Sequence, residues 1–172
     1  HNFLTKQGID AQILLWDAPK PQSNIQEEAR EARYKLMSDF CHANNIKHLL
    51  LGHNKNDQAE TLMLRMLRGS GVDGMCGIKK TSHMHGVDIV RPMLDCTRDE
   101  IIATLRNNSW EWVEDPSNQD EKYERVKIRN LINAQDDKDL WLDRLSLLAS
   151  NMQRSQSYIK EQVSHAAQKL TA

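Results

Sequence analysis

The sequence predicts an α/β fold on a parallel sheet, and three observations carry that prediction. Residues 11 to 68 spell strand-sized apolar run, helical period, second apolar run, second helical period, an order that implies parallel strands joined by right-handed crossovers. The second run, His48-Leu49-Leu50-Leu51, ends at Gly52, and the residues after it change to a helical period. At 172 residues and 39% hydrophobic, the chain can bury one real core with a helical appendage.

The chain opens on HNFLTKQGID, which reads as the last turns of a helix stopped by Gly8. It has no initiator methionine, so a piece of a longer protein is expected. Residues 11 to 16, AQILLW, form a compact apolar run and predict a buried strand. Two prolines then break the chain, and Ser23-Asn24-Ile25-Gln26 fits a capping box opening a helix to about Asn45. Its expected buried stripe is Ile25, Ala29, Ala32, Leu36 and Phe40. Arg30 and Arg33 lie off that stripe among glutamates, as on a solvated ion-pair face.

The stretch from Gly52 to Gly71, GHNKNDQAETLMLRMLRGSG, organises the rest. Asn54 sits where an N-cap belongs, with Asp57 three residues on in the positive first turn, so a helix is predicted from about Lys55. At about 100° per residue, Ala59, Leu62, Met63 and Met66 share one side, while Asp57, Glu60, Thr61 and Arg68 share the other. One face is core and the other a row of chemistry. In an open parallel sheet, ligands bind beyond the carboxyl ends of the strands, where Gly52, His53, Asp57 and Glu60 would stand.

After Arg68, GSGVDGMCG suits a helix C-cap and a mobile loop. Residues 88 to 94 predict another strand, with Pro92 at its end or edge. Thr97 and Glu100 form a second capping box ahead of a helix, and Asp115-Pro116-Ser117-Asn118 predicts a turn. Residues 123 to 132 carry Arg125, Lys127 and Arg129; Arg125 and Arg129 can either flank phosphates or pair with Glu121 or Glu124. From Asp139 on, Leu142, Leu145, Leu148, Met152, Ile159 and Val163 keep helical spacing, with a break expected near 153 to 156.

Composition excludes several classes. No apolar run is long enough to span a membrane and no signal segment opens the chain, so a soluble cytoplasmic protein is expected. Cys41, Cys76 and Cys96 are far apart with no C-x-x-C pair, which suggests neither a disulfide framework nor a metal site. The net charge of -1 means that a nucleic-acid partner must be met by a local basic patch.

Four stretches carry a family resemblance: NIQEEAREARY (24 to 34), GHNKNDQAETLMLRMLRGSG (52 to 71), VRPML (90 to 94) and WVEDPSNQDEKYERVKIRNLI (112 to 132). In that order they resemble the tRNA(Ile)-lysidine synthetases, which are PP-loop ATP pyrophosphatases. The resemblance implies a parallel-sheet PP-loop ATPase core over 1–133, truncated at its N-terminus. A helical segment, 134–172, would follow and lead toward a C-terminal region outside this sequence. The family's S-G-G-x-D-S phosphate loop does not occur in these residues, so the chain alone is expected to be inactive.

The implied reaction has two steps. ATP adenylates the C2 carbonyl oxygen of an anticodon-loop cytidine in an isoleucine tRNA; the ε-amine of L-lysine then attacks C2, and AMP leaves. The resemblance assigns Asp57, Glu60, Arg125 and Arg129 to catalysis, and Asn56, Arg30 and Arg33 to substrate binding. Gly52 and His53 are assigned to the nucleotide, and Arg65 and Arg68 to the tRNA. Asn56 stands where many relatives have aspartate, and an isolated His after a strand is more often structural. ATP and Mg2+ are the implied cofactors, no protein-bound metal is expected, and a homodimer is one arrangement open to the chain. The rivals are another PP-loop enzyme, such as a tRNA thiolase or an amide-forming synthetase, or a non-catalytic RNA-binding or dimerisation module.

Overall fold

The computed structural model describes residues 2–17, 25–114, 122 and 124–171. Its elements are α1 (Asn2–Lys6), α2 (Ile25–Ala43), β1 (His48–Leu50), α3 (Lys55–Leu67), α4 (Val72–Met75), β2 (Thr81–Met84), β3 (Val87–Val90), α5 (Arg98–Asn107), α6 (Glu124–Asn133) and α7 (Lys138–Thr171). They divide into two compact units, His1–Leu50 with Thr81–Val90, and Leu51–Lys80 with Arg91–Ala172. The proposed Ser23 cap and the turn at Asp115 to Asn118 lie outside the described residues.

The first unit carries the sheet, in order β1-β3-β2. β1 and β3 are parallel, with His48 opposite Asp88 and Leu50 opposite Val90. β2, which the sequence reading did not foresee, runs antiparallel to β3. The His85-Gly86 turn makes this hairpin possible: both residues have positive φ, 49° and 75°, as a tight two-residue hairpin of matching twist requires.

Residues 11 to 16 are not a strand. Ile13 and Leu15 are exposed, and no strand among the described residues pairs with this run, so nothing takes up its amides and carbonyls as a ladder would. The buried ridge of α2 also differs from the expected stripe. Tyr34, Ser38 and Cys41 are buried, whereas Ile25 is exposed. Ser38 and Cys41 thus take places on this ridge that a hydrophobicity pattern gives to larger residues.

The second unit is built on α3, α6 and α7. Ala59, Leu62 and Met63 from α3 meet Ile128 and Ile132 from α6 and Leu142, Leu145 and Ala149 from α7. Met66, expected with them, is exposed, because it lies in the last turn of α3. α7 is one unbroken helix; the polar residues at 153 to 156 include neither glycine nor proline, and Gln153 and Gln156 make hydrogen bonds rather than a break.

The glycine-rich stretch after α3 is also ordered. Gly69 takes φ 69°, and Ser70 N–H donates to Arg65 O while Gly69 N–H donates to Met66 O, the Schellman closure of a helix end. Beyond it, Arg65 donates to Gly74 O at 2.8 Å and Gly77 O at 2.9 Å, and Gln153 donates to Cys76 O at 2.6 Å. Gln58 pairs with both the N–H and the C=O of Ile78. Three long polar side chains thus satisfy backbone groups that a loop would otherwise leave to water. Gly77 cannot be replaced without strain, since its φ is +60° and a Cβ would lie 2.4 Å from Gln58 Oε1.

Candidate functional site

The site begins with the first turn of α3. Asn54 Oδ1 accepts from Asp57 N–H at 3.1 Å, and Asp57 Oδ2 accepts from Asn54 N–H at 3.0 Å. This reciprocal box satisfies two amides at the helix start, and it also fixes the rotamer of Asp57. One carboxylate oxygen is committed to the cap, which leaves Oδ1 free of it. One turn on, Glu60 falls on the same side of α3, and there α6 packs against it.

The packing of α6 on α3 brings two arginines to those acids. Arg125 and Arg129, four residues apart, project the same way from α6. Arg125 Nε donates to Glu60 Oε2 at 2.9 Å, and Arg129 Nε donates to Glu60 Oε1 at 2.7 Å. Arg125 Nη2 also reaches Asp57 Oδ1 at 3.4 Å and Thr61 Oγ1 at 3.4 Å. Glu60 is only 2% exposed and sits between the two guanidiniums. The Glu60 hydrogen bond holds Arg129 even more firmly in its charged form than usual.

The arginines therefore pair with the acids of α3 rather than with Glu124, which instead meets Arg68 on the exposed surface; Glu121 lies outside the described residues. Asp57 and Glu60 share a face as expected but do different work. Glu60 is an internal anchor for two guanidiniums. Asp57 lines a cleft of about 540 Å³, together with Asn56, Arg98, Asp99, Glu114 and Lys138.

The other expected site residues are placed variously. Asn56 Oδ1 accepts from Arg98 N–H at 2.9 Å, so it caps α5 from across the cleft. Gly52 is not in the left-handed region, and a Cβ there would meet only Met93 Cε at 3.4 Å, so the protein's own packing does not require glycine. His53 is half-buried beside it. Arg65 is committed to the two loop carbonyls, whereas Arg68 is exposed. Arg30 and Arg33 belong to the first unit, where Arg30 lies 5.0 Å from the Tyr34 ring centroid.

Sequence reasoning missed Arg98, Asp99, Glu114 and Lys138. Lys138 Nζ pairs with Asp99 at 2.5 Å, a contact across 39 positions that no local pattern announces. The only signal was the run Arg98-Asp99-Glu100 behind a capping threonine. Cys41, Cys76 and Cys96 are separate free thiols. Among the described residues no group of three or more His, Cys, Asp or Glu side chains is arranged to hold a metal, and no helix is long and apolar enough to cross a membrane.

A sheet with parallel pairing among helices makes this an α/β protein, and the sequence matches the PP-loop domain over residues 1–135. The chain belongs to the PP-loop domain family. Among its relatives, the tRNA(Ile)-lysidine synthase of Wolbachia pipientis wMel is 45% identical over 143 residues, covering 83% of this chain and 33% of the relative. That of Anaplasma marginale (strain St. Maries) is 43% identical over 148 residues, covering 86% and 32%. The chain thus spans about a third of the length of these relatives. Among solved structures, the U34-tRNA thiolase NcsA from Methanococcus maripaludis is similar in fold, with a TM-score of 0.64 at 17% identity, over 87% of this chain and 55% of that one.

Proposed function

We propose that this chain is the lysine-binding part of a tRNA(Ile)-lysidine synthase, acting in the cytoplasm on tRNA(Ile), L-lysine and ATP. One observation carries the reading: a carboxylate fixed by a helix cap through one oxygen lines a cleft, beside an acid already held by two arginines. A lysine ε-amine must be held and then relieved of a proton before it can attack. Asp57 is the group proposed for both tasks, because it lines the cleft while its Oδ2 is held by Asn54 N–H.

Glu60, in this reading, does not touch the amine. It positions Arg125 and Arg129, and the more exposed Arg125 is the one a phosphate group can recruit, since its side chain is 40% exposed against 23% for Arg129. Gly52 and His53 serve the nucleotide. A glycine that internal packing does not demand fits a backbone approached closely by a ligand. Asn56 shapes the cleft through α5, and Arg30 and Arg33 serve substrate phosphates on the first unit. Of the two arginines assigned to tRNA, Arg68 is the better candidate, because a phosphate can compete with Glu124 for an exposed guanidinium more easily than with the two carbonyls that hold Arg65. ATP brings the leaving AMP. Mg2+ has no site of its own among the described residues, since both Glu60 oxygens are taken by guanidiniums.

The thiolase reading draws nothing from the cysteines, and a likeness at 17% identity speaks for the fold alone. The test is a chimera in which this chain replaces the matching region of the Wolbachia enzyme. Labelled lysine should enter tRNA(Ile) in an ATP-dependent manner. A folded chimera that binds ATP and incorporates no lysine would overturn the assignment.

A further inference from the structure

A second cavity, of about 290 Å³, lies within the second unit between α3, the end of the glycine-rich stretch and α7. It shares no residue with the cleft at Asp57. Most of its polar groups are already paired: Gln58 spends its amide on the N–H and C=O of Ile78, and Lys80 meets Asp95. Ser146 is the exception, for its Oγ is buried and has no hydrogen-bond partner among the described residues. Ser155 and Ser157, further along α7, donate to carbonyls one turn back, Asn151 O at 3.2 Å and Gln153 O at 3.0 Å, the usual outlet for a helical hydroxyl. Ser146 does not use that outlet, and an unpaired buried hydroxyl is costly. Two turns on from it, Gln153 donates to Cys76 O and Ile78 O, which leaves its Oε1 as an open acceptor.

We infer that this cavity takes an unpaired nucleobase of an RNA, at a site separate from the reacting centre. A charged group finds no unpaired opposite charge among the residues that line it. Ser146 Oγ and Gln153 Oε1 instead offer the donor and acceptor that read the edge of a base, and Ile78 and Leu94 offer apolar surface for its ring. The volume falls just under the range of about 300 to 1,000 Å³ usual for small-molecule sites, so a base enters while its sugar and phosphate stay outside.

The surface outside suits those groups. An open groove shares Ser150 and Gln153 with the cavity and continues along α7 past Arg154 and Tyr158 to Glu161. Arg154 is exposed and hydrogen-bonded to Asn151 rather than to an acid, so its charge is open to a phosphate. Tyr158 is 63% exposed, a ring on which a neighbouring base stacks. A cation and an exposed aromatic beside neutral edge-reading groups are the parts of a single-stranded nucleic-acid site. Glu161 ends the track, because it repels the next phosphate. The choice of RNA over a free nucleotide rests on the function proposed above; the preference of the cavity for a neutral base does not.

The test is fluorescence anisotropy of the 172-residue chain with labelled RNA hexamers of U, C or A and with an abasic hexamer, beside unlabelled nucleoside monophosphates as competitors. At least one base-bearing hexamer should bind more tightly than the abasic one. Ser146→Ala should weaken that hexamer by about threefold to tenfold with Tm unchanged or raised, since an unused buried hydroxyl is lost. Ser150→Leu, an exposed position at the cavity, should reduce binding to the abasic level, and Tyr158→Leu should cost about fivefold or more; circular dichroism checks each fold. RNA affinity unchanged in folded Ser146→Ala and Ser150→Leu, or equal binding of the abasic hexamer, overturns the base site and leaves water as the cavity's occupant. Monophosphates that bind as tightly as the hexamers overturn the RNA source. Neither result bears on lysine transfer by the chimera, so the two readings fail separately.

Discussion

At the scale of single residues, the two acids of α3 separate by burial. Glu60 is enclosed and holds two guanidiniums, so its loss leaves Arg125 and Arg129 without their charge partner in a partly buried place. Breaking a buried pair in this way costs about 3 to 5 kcal/mol, and the partial exposure of both arginines puts Glu60→Ala near the lower end, at about 3 kcal/mol. Asp57→Ala removes a capping carboxylate from a half-buried helix start, a loss of about 1 kcal/mol. Denaturant titration of the two variants should show this order, and equal losses would mean that Glu60 is not the anchor. The sequence made half of this legible. Asn54 and Asp57 lie within one turn, so their cap could be read directly. The burial of Glu60 could not, because it depends on arginines 65 and 69 positions away.

At the scale of elements, α5 shows how local chemistry carries over into structure. Thr97 Oγ1 accepts from Glu100 N–H at 3.2 Å, and Glu100 Oε2 accepts from Thr97 N–H at 2.7 Å and from its hydroxyl at 2.9 Å. The Thr97 backbone amide is the main reason the Glu100 carboxyl lies below its usual value near 4.5, with the hydroxyl next. A depressed folded value stabilises the helix start at pH above 4.5, and that stability is lost as pH falls through the folded value. Stability measured from pH 7 to pH 3 should therefore fall more for the native chain than for Glu100→Gln, with the two curves converging in acid; parallel curves would count against the cap. Elements written in such i, i+3 pairs were legible. The β2–β3 hairpin was not, because His85-Gly86 lacks the usual Asn-Gly signature, and the absent strand at 11 to 16 depended on a partner that periodicity cannot supply. The unbroken course of α7 follows from packing, since Gln153 and Gln156 are used by the glycine-rich stretch rather than by a turn.

At the scale of the molecule, the second unit gathers α3, α5, α6 and the start of α7 around one cleft in which charge is largely settled before any substrate arrives. Preorganised groups of this kind accelerate reaction by holding partners in place rather than by reorganising. The α/β class was legible from the order of apolar runs. The cleft was not, because its walls come from helices spread over more than eighty positions, Asn54 to Lys138. The central claim is that Asp57 holds the lysine amine while Glu60 acts through the arginines. It is tested most directly by the lysine dependence of lysidine formation in the chimera carrying this chain. Asp57→Asn should raise KM for lysine at least about tenfold, the loss of one charge-assisted hydrogen bond, with KM for ATP unchanged and the fold intact. An unchanged KM for lysine in that variant would contradict the account.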